Sequence, residues 1–352
     1  MTATANDSVG QYSQDFLSEE VMSKIELSLN CVLINVFALL GLIGTSINLL
    51  VLCQYNITTD TSNILLVSLS VADFLFCLTV PISRSKCLLI HFLDMPTALR
   101  YSIFIFEYFS EIPRLLYFCS MSMVGVISTE RFLAVFFPFK TSRLMTPFRM
   151  KLLSVLVYVV NALMFSPTYF ILTHDYVYSE KYQGLVPVLE PTEFFQKNFD
   201  AINIEIGIVY NIAVSGTSFL VTLLFTPAIA IKLWLVSRER TKLTNKRGVS
   251  ENHVAKLLLT VCVMSIMFYG PFIGFNAAIT FLPQYSSLTN VFQVFLNVAD
   301  FSGTVCAFTN FLIYVTMSRK FRNKYKELLL KCCILRNNNK IFKREVQRTD
   351  RS

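Results

Sequence analysis

Charged residues are scarce in this chain of 352 residues. Asp, Glu, Lys and Arg together make up 15% of it, whereas soluble domains carry roughly 25% charged residues. Apolar residues make up 54%, and Phe occurs 32 times while Trp occurs once. This composition excludes an ordinary soluble domain and indicates a membrane protein. The net charge of +8 therefore does not point to nucleic acid, because the location of the charges matters more than their sum.

Catalytic and metal-binding motifs are also missing from the sequence. The histidines His91, His174 and His253 are far apart, and no paired-carboxylate, HxxxH or GxSxG motif occurs. The nine cysteines lie mostly within apolar runs, without the spacing of zinc ligands or of a disulfide framework. We therefore predict that the protein is not an enzyme, has no organic cofactor and binds no nucleic acid.

Seven apolar stretches are each long enough to cross a bilayer as a helix, which takes about 20 residues. We predict an all-α membrane protein with an extracellular segment (1–30), a seven-helix bundle (31–317), a short amphipathic eighth helix (318–333) and a basic cytoplasmic tail (334–352). The predicted spans are residues 31–54, 63–83, 101–135, 150–173, 203–236, 253–282 and 288–317.

Basic residues are distributed unevenly between the two ends of these spans. Of the 31 Lys and Arg, 24 follow the third and fifth spans or lie in the tail, and 7 lie on the other side. Because cytoplasmic loops are enriched in Lys and Arg, we predict a plasma-membrane protein with its N-terminus outside and its tail inside. Asn6, which begins a glycosylation sequon, would then be extracellular.

Two charged features interrupt the apolar spans. Asp73 lies within the second span, where a carboxylate needs an ion, a proton or polar partners. Glu130 and Arg131 stand side by side near the end of the third span. An arginine at that depth either extends toward the interface beside an exposed glutamate or serves a function.

In their order and spacing these residues resemble a rhodopsin-like, class A G-protein-coupled receptor. Glu130-Arg131-Phe132 is a variant of the family's D-R-Y sequence, and Asn310 with Tyr314 matches its N-P-x-x-Y sequence without the proline. The resemblance covers about residues 31–333. Further matches are Asn48, Asp73, Ser120, Pro138, Tyr269 in place of a tryptophan, Pro271, Phe321 and the Cys332-Cys333 pair.

The resemblance implies that one end of the bundle is a switch for a heterotrimeric G protein. Glu130 and Glu251 would both hold the Arg131 guanidinium, and ligand binding would swing helix six outward and release it. Replacing Glu251 by Ala is then expected to raise basal signalling. The same switch would include Phe132, Pro138, Asn310 and Tyr314, with Tyr269 and Pro271 as the toggle of helix six.

Regulatory contacts follow from the same resemblance. Cys332 and Cys333 are predicted palmitoylation sites that hold the eighth helix to membrane lipid, with free thiols as the alternative. A receptor kinase and arrestin would act on hydroxyl groups of the third inner loop, at Thr241, Thr244 and Ser250. No lysine occurs between residues 288 and 317, which excludes a retinal Schiff base and hence an opsin.

The resemblance also implies a sodium-type site formed by Asp73, Ser120 and Asn310. Their side-chain oxygens suit a hard cation. Cys306 and Ala307 occupy neighbouring positions where the family often has polar groups, so the site is poor in ligands. Water, or protonation of Asp73, is therefore the alternative to sodium.

The ligand-binding end departs further from the family. Pro113 takes the place of the aspartate of amine receptors, which disfavours biogenic amines. Arg114 and Asp300 lie in apolar surroundings on helices three and seven. They either brace the bundle as a pair or anchor a charged or zwitterionic ligand, such as a peptide or an amino acid. The predicted ligand-binding residues are Glu111, Arg114, Tyr117, Glu205, Tyr269 and Asp300.

The usual outer disulfide of the family is not expected here. Phe106 occupies the cysteine position of helix three, and the second outer loop contains no cysteine. A bridge between Cys31 and Cys87 is a separate hypothesis. These departures are typical of divergent invertebrate chemosensory and orphan peptide receptors. A polytopic transporter or channel is the alternative function, although Asp73 and Asp300 offer few ionisable groups for a polar path.

Overall fold

The computed structural model describes residues 19–54, 60–85, 89, 92–179, 184–243, 249–281, 289–318 and 321–328. Within these ranges, seven helices are long and apolar enough to span a membrane, which confirms the predicted seven-helix bundle. Asn6, Cys87, Cys332 and Cys333 lie outside the described residues, as does the side chain of Glu251. The predictions on these five residues stay predictions. We call the two ends of the bundle outer and inner, after the orientation predicted from the basic residues.

The seven helices are α1 (Ile34–Cys53), α2 (Thr61–Ser83), α3 (Glu111–Phe136), α4 (Pro147–Phe165), α5 (Thr217–Leu243), α6 (Val249–Phe281) and α7 (Thr289–Met317). Shorter segments extend four of them at the outer end: Glu19–Glu26 and a π-helix at Leu27–Leu33 before α1, Met95–Phe109 before α3, a 3-10 helix at Ser166–Phe170 after α4, and a π-helix at Ile204–Gly216 before α5. Short separate helices are Pro138–Leu144, Glu193–Lys197 and Phe199–Asn203.

The segment Met95–Phe109, which we call the outer extension, is separated from α3 because of Pro113. Proline has no N–H to donate to the carbonyl one turn earlier, and the helix is interrupted at Ser110. Asp94 caps the start of the outer extension. Its carboxylate accepts hydrogen bonds from the Thr97 hydroxyl and backbone N–H, which hold the pKa of that carboxyl below its usual range.

A β-hairpin lies between α4 and α5, and it was not predicted from the sequence. Strand β1 (Leu172–Ser179) pairs antiparallel with β2 (Gly184–Pro191), from Leu172 opposite Pro191 to Ser179 opposite Gly184. Backbone and side-chain bonds from Thr192 to Ile171 and Phe170 close the base of the hairpin. A second anchor is the side chain of His174, whose Nδ1 contacts the Glu107 carboxylate of the outer extension.

Buried apolar side chains form two clusters, one in each half of the bundle. The inner cluster is centred on Met123, Ile127 and Leu258, and the outer one on Phe118 and Tyr269. Large apolar side chains also cover the outside of the helices, as the 59% exposed side chains of Leu39 and Ile43 show. Lipid rather than water would face this surface, so the apolar exterior fits a membrane-spanning bundle.

Residues 321–328 form a helix after α7. Phe321 is 3% exposed, and its ring lies 5.9 Å from that of Tyr314 on α7. This contact attaches the described part of the predicted amphipathic helix to the inner end of the bundle.

Candidate functional site

Asp73 lies at the centre of the bundle on α2, and both of its carboxylate oxygens accept hydrogen bonds. Ser120 Oγ of α3 donates to Oδ1 at 2.7 Å, and Asn310 Nδ2 of α7 donates to Oδ2 at 2.8 Å. None of the three residues is more than 4% exposed. A buried carboxylate is costly unless donors surround it, so these contacts explain how an apolar helix tolerates the acid. The three predicted residues of the sodium-type site therefore lie together.

The fit of this site to a sodium ion depends on its oxygens. Asn310 Oδ1 is buried and makes no hydrogen bond within the described part of the chain, so it is available as a ligand beside the carboxylate and Ser120 Oγ. Cys306 and Ala307, each 1% exposed, line the neighbouring wall and add no oxygen. The donor types suit a hard cation, yet the set is small, and the sodium site stays a prediction.

Tyr269 of α6 joins the same hydrogen-bond network, a contact that sequence reasoning did not predict. Its hydroxyl lies 2.9 Å from Ser120 Oγ. A serine has one O–H to donate, and Ser120 donates it to Asp73, so Tyr269 is the donor in this second bond. One chain of buried hydrogen bonds thus connects α2, α3, α6 and α7. A tryptophan at position 269 would carry an indole N–H in place of the hydroxyl.

An outer cavity begins directly above this network. Its volume is about 20 Å³, enough for a single water molecule. The ring of Tyr117 at its base makes edge contacts with Tyr269, at 4.8 Å, and with Phe272, at 5.4 Å. Through Tyr117 the cavity lining therefore contacts Tyr269, whose hydroxyl is bonded to Ser120 in the Asp73 network. The cavity is lined by Arg84, Ser110, Arg114, Tyr117, Phe272, Leu296, Ala299 and Asp300.

Of the two alternatives for Arg114 and Asp300, the brace is wrong, because the charged side chains of the cavity form other pairs. Asp300 Oδ2 accepts hydrogen bonds from Nε of Arg84 at 2.8 Å and from its Nη2 at 2.5 Å. Arg114 Nη1 instead bonds Glu111 Oε2 at 2.9 Å, one turn earlier on α3. Local geometry explains the second pair, because residues three apart are neighbours on a helix.

Arg84 was missed as a site residue, although the sequence contained a signal for it. It follows the last turn of α2, eleven residues after Asp73. Eleven residues are close to three helical turns, so the two side chains point to the same side of α2. Of the predicted ligand-binding residues, Arg114, Tyr117 and Asp300 line the cavity, Glu111 and Tyr269 contact its lining, and Glu205 is not part of the lining.

At the inner end, Arg131 is paired with its neighbour Glu130. Arg131 Nη2 donates to Glu130 Oε1 at 2.7 Å and also contacts Ser62 Oγ, while Thr61 Oγ1 donates to Glu130 Oε1 at 3.3 Å. Glu130 is only 3% exposed. The alternative of a boundary pair with an exposed glutamate does not fit this burial, and the role of the pair as a switch stays a prediction.

The first turn of α2 supplies the polar partners of this pair. Asp60 caps the helix, accepting a hydrogen bond from the Ser62 backbone N–H at 3.1 Å. The sequence Asp60-Thr61-Ser62 is a recognisable helix start, but its approach to Arg131 depends on how α2 packs on α3. On the other side of α3, Phe132 stacks on Phe225 of α5 at 4.2 Å. Pro138 begins the short helix Pro138–Leu144 beyond α3.

Residues 46–314 match the family described as "7 transmembrane receptor (rhodopsin family)". The chain belongs to this family. Rat somatostatin receptor type 4 (Rattus norvegicus) is 24% identical over 299 residues, which cover 84% of this chain and 72% of that protein. Human somatostatin receptor type 3 (Homo sapiens) is 23% identical over 84% of this chain and 66% of its own length. Galanin receptor 2b of Danio rerio is 23% identical over 90% and 79%.

Family membership decides between the classes that the sequence left open. The protein is a multi-pass plasma-membrane receptor that couples to a heterotrimeric G protein, and it is not an enzyme. The family match also decides for a receptor and against the alternative of a transporter or channel.

Proposed function

We propose that the protein is a peptide receptor, with its cavity facing the outside, that activates a G protein through outward movement of α6. The relatives at 23–24% identity are receptors named for somatostatin and galanin, and they favour a peptide over a small chemosensory molecule. The observation that carries the proposal is the buried Glu130–Arg131 pair, held by the first turn of α2.

The ligand acts through the floor of the outer cavity. Tyr117 and Phe272 would move with the bound ligand, and Tyr117 contacts Tyr269 in the Asp73 network. Tyr269 lies two residues before Pro271, which removes a backbone hydrogen bond from α6 and favours bending there. The ligand can shift the balance only as far as it binds the open bundle more tightly than the closed one.

Release of Arg131 completes the response at the inner end. In the closed bundle its guanidinium is bound to Glu130 and Ser62. Glu251 would be a further partner from α6, and moving α6 outward would remove it. The guanidinium, which carries five N–H donors, could then contact carbonyl groups of a G-protein helix. Both acids are therefore restraints on signalling.

The basic inner surface would also bind regulatory proteins and membrane lipid. A kinase and an arrestin would use Thr241, Thr244 and Ser250, and membrane lipid would hold acyl chains on Cys332 and Cys333. The structure describes none of these five side chains. Asp73 would bind sodium in the closed bundle, with a water molecule or a proton as the alternative.

The experiment measures basal nucleotide exchange on a purified G protein by the receptor in nanodiscs. Glu251→Ala and Glu130→Gln should each raise basal exchange several-fold, because each removes a charge-assisted bond worth about 1.5–3 kcal/mol. Glu193→Gln, on an exposed helix of the outer loop, serves as the matched control. Unchanged exchange for both variants at equal receptor concentration would contradict the proposal.

A further inference from the structure

The outer cavity has an unequal number of positive and negative side chains in its lining. Arg84, Arg114 and Asp300 border it, whereas Glu111, the partner of Arg114, is not part of the lining. The four charges sum to zero, since each guanidinium is hydrogen-bonded to a carboxylate. The lining itself nevertheless holds two guanidinium groups, each with five N–H donors, and one carboxylate. An incoming carboxylate would meet donors of both arginines, so the lining favours an anionic group of the ligand over an ammonium group.

The Arg84–Asp300 pair closes this cavity between α2 and α7. Both guanidinium bonds go to one carboxylate oxygen, Asp300 Oδ2. The most favourable arginine–carboxylate geometry instead has two parallel bonds to two different oxygens. A ligand carboxylate that offers both oxygens can thus compete for Arg84. The side chains are 22% and 15% exposed, so solvent and ligand can reach them.

We propose that Arg84 and Arg114 bind a carboxylate of the ligand, and that Asp300 occupies Arg84 until the ligand displaces it. Because the closed cavity has room for one water molecule only, Tyr117, Phe272 and Leu296 would have to move apart to take an apolar group beside the carboxylate. Asp300 is then a built-in competitor rather than a ligand anchor. This inference rests on the proposed function, since it names the ligand chemistry of the same cavity.

The test measures binding to the purified full-length receptor in nanodiscs through the rise in its unfolding temperature, so no G protein is needed. The probes are N-acetylphenylalanine, its neutral amide, and phenethylamine as the cation. N-acetylglutamic acid α-amide, with its carboxylate on a side chain, is added to distinguish a peptide C-terminus from an acidic side chain. Either carboxylate source supports the proposal, and the stronger binder names the source.

Asp300→Asn is the deciding variant. It removes the charge that competes for Arg84 with almost no change of volume, so N-acetylphenylalanine should reach half-maximal stabilisation at about one-tenth of the wild-type concentration, as expected for one charge-assisted bond. If Asp300 instead anchored an ammonium group, this variant would bind the acid no better and phenethylamine less well. Either stronger stabilisation of the wild type by phenethylamine than by the acid, or no stabilisation of Asp300→Asn by any acid, would overturn the proposal.

Two further variants test whether each arginine binds the carboxylate. Arg114→Gln should lose the response to the acid about tenfold. Arg84→Gln alone leaves Asp300 without this partner, so Arg84 is tested as Arg84→Gln with Asp300→Asn, which should lose the gain seen for Asp300→Asn. Arg100→Gln, on the exposed outer extension, makes the same charge change and should behave as the wild type. Equal losses in Arg100→Gln and Arg114→Gln would mean that net charge alone attracts the acid, contrary to the proposal.

Failure of this inference and failure of the proposed function are distinguishable. A receptor that binds the acid through the two arginines but raises no nucleotide exchange on a G protein would contradict the proposed function alone. Exchange that responds to Glu251→Ala, without any carboxylate binding, would contradict the inference alone.

Discussion

The inner and outer ends of the bundle each contain an arginine–carboxylate pair. The inner pair lies within one helix, whereas the outer pair joins two helices. At the inner end, Glu130 and Arg131 are sequence neighbours on α3, and hydroxyl groups of α2 bind them from the side. At the outer end, Arg84 and Asp300 are 216 residues apart and join α2 directly to α7. The inner pair can therefore survive a movement of helices, whereas the outer pair has to break when α2 and α7 separate.

The inner pair is also more deeply buried than the outer pair. The side chains of the inner pair are 15% and 4% exposed, for Arg131 and Glu130. Those of the outer pair are 22% and 15% exposed, for Arg84 and Asp300. Since solvent weakens an ion pair, the inner pair is suited to a stable resting state. The outer pair is suited to exchange with a ligand from solution.

The largest expected effect comes from removing the arginine of each pair. Arg131→Ala leaves Glu130 buried without its partner and should lower the free energy of unfolding by about 3–5 kcal/mol. Arg84→Ala should cost less, about 1–3 kcal/mol, because water reaches Asp300. Unfolding of each variant in nanodiscs, followed by heat or denaturant, measures the difference.

A neutral partner provides the control for this comparison. Glu130→Gln combined with Arg131→Ala removes the buried charge and should recover part of the lost stability. Asp300→Asn combined with Arg84→Ala should recover less, since there is less to recover. A larger loss for Arg84→Ala than for Arg131→Ala would show that the outer pair, not the inner one, stabilises the closed bundle.

A medium effect is expected where the two halves connect, at the Tyr269 hydroxyl. Tyr269→Phe removes its bond to Ser120 and should lower the free energy of unfolding by about 1 kcal/mol. It should also change basal nucleotide exchange on the G protein, because this bond links the cavity floor to Asp73. Both quantities are measured on the same receptor preparation.

Tyr158→Phe is the matched control, since the Tyr158 hydroxyl donates to the Ser68 backbone carbonyl at 2.6 Å and not to a side chain of the Asp73 network. It should lose similar stability and leave basal exchange unchanged. If both variants alter exchange equally, the connection through Tyr269 is not specific.

The smallest effect is expected at the outer hairpin, which is held to the outer extension by His174 and Glu107. Glu107→Gln weakens this contact and should raise the hydrogen-exchange rate of the β1 and β2 amides by a few-fold, equivalent to about 1 kcal/mol or less. Mass spectrometry of exchanged peptides measures these rates.

Glu190→Gln is the control for the hairpin, because it changes the same charge on an exposed position of β2. It should leave amide exchange unaltered. Equal exchange in Glu107→Gln and wild type would show that the base of the hairpin at Thr192 is enough to hold it.

Several features could be predicted from the sequence because they are local or periodic. A span is an unbroken apolar run, so the seven helices followed from composition along the chain.

Cys31 is disulfide-bonded, but its partner is not among the described residues, and the bridge to Cys87 stays a prediction. The five described free cysteines are Cys53, Cys77, Cys119, Cys262 and Cys306.

The central site followed from the family resemblance. Asp73, Ser120 and Asn310 were expected to face one another, and the structure brings them within hydrogen-bond distance. The outer cavity gave the opposite result. Its charged residues were identified, except Arg84, but the pairing of Arg114 with Asp300, one of two alternatives, was wrong. Charge and burial indicate that a side chain needs a partner, without indicating which one.

By itself, then, the sequence determined the spans, the buried acid of α2 and the Glu130–Arg131 pair, because each depends on residues that are near one another in the chain. Only the tertiary structure decided that Asp300 pairs with Arg84 and that Tyr269 reaches Ser120, 149 residues away. The tertiary structure also decided that a β-hairpin forms and that it contacts Glu107. Such contacts depend on the relative rotation and depth of packed helices, and a shift of one helical turn would separate Asp300 from Arg84.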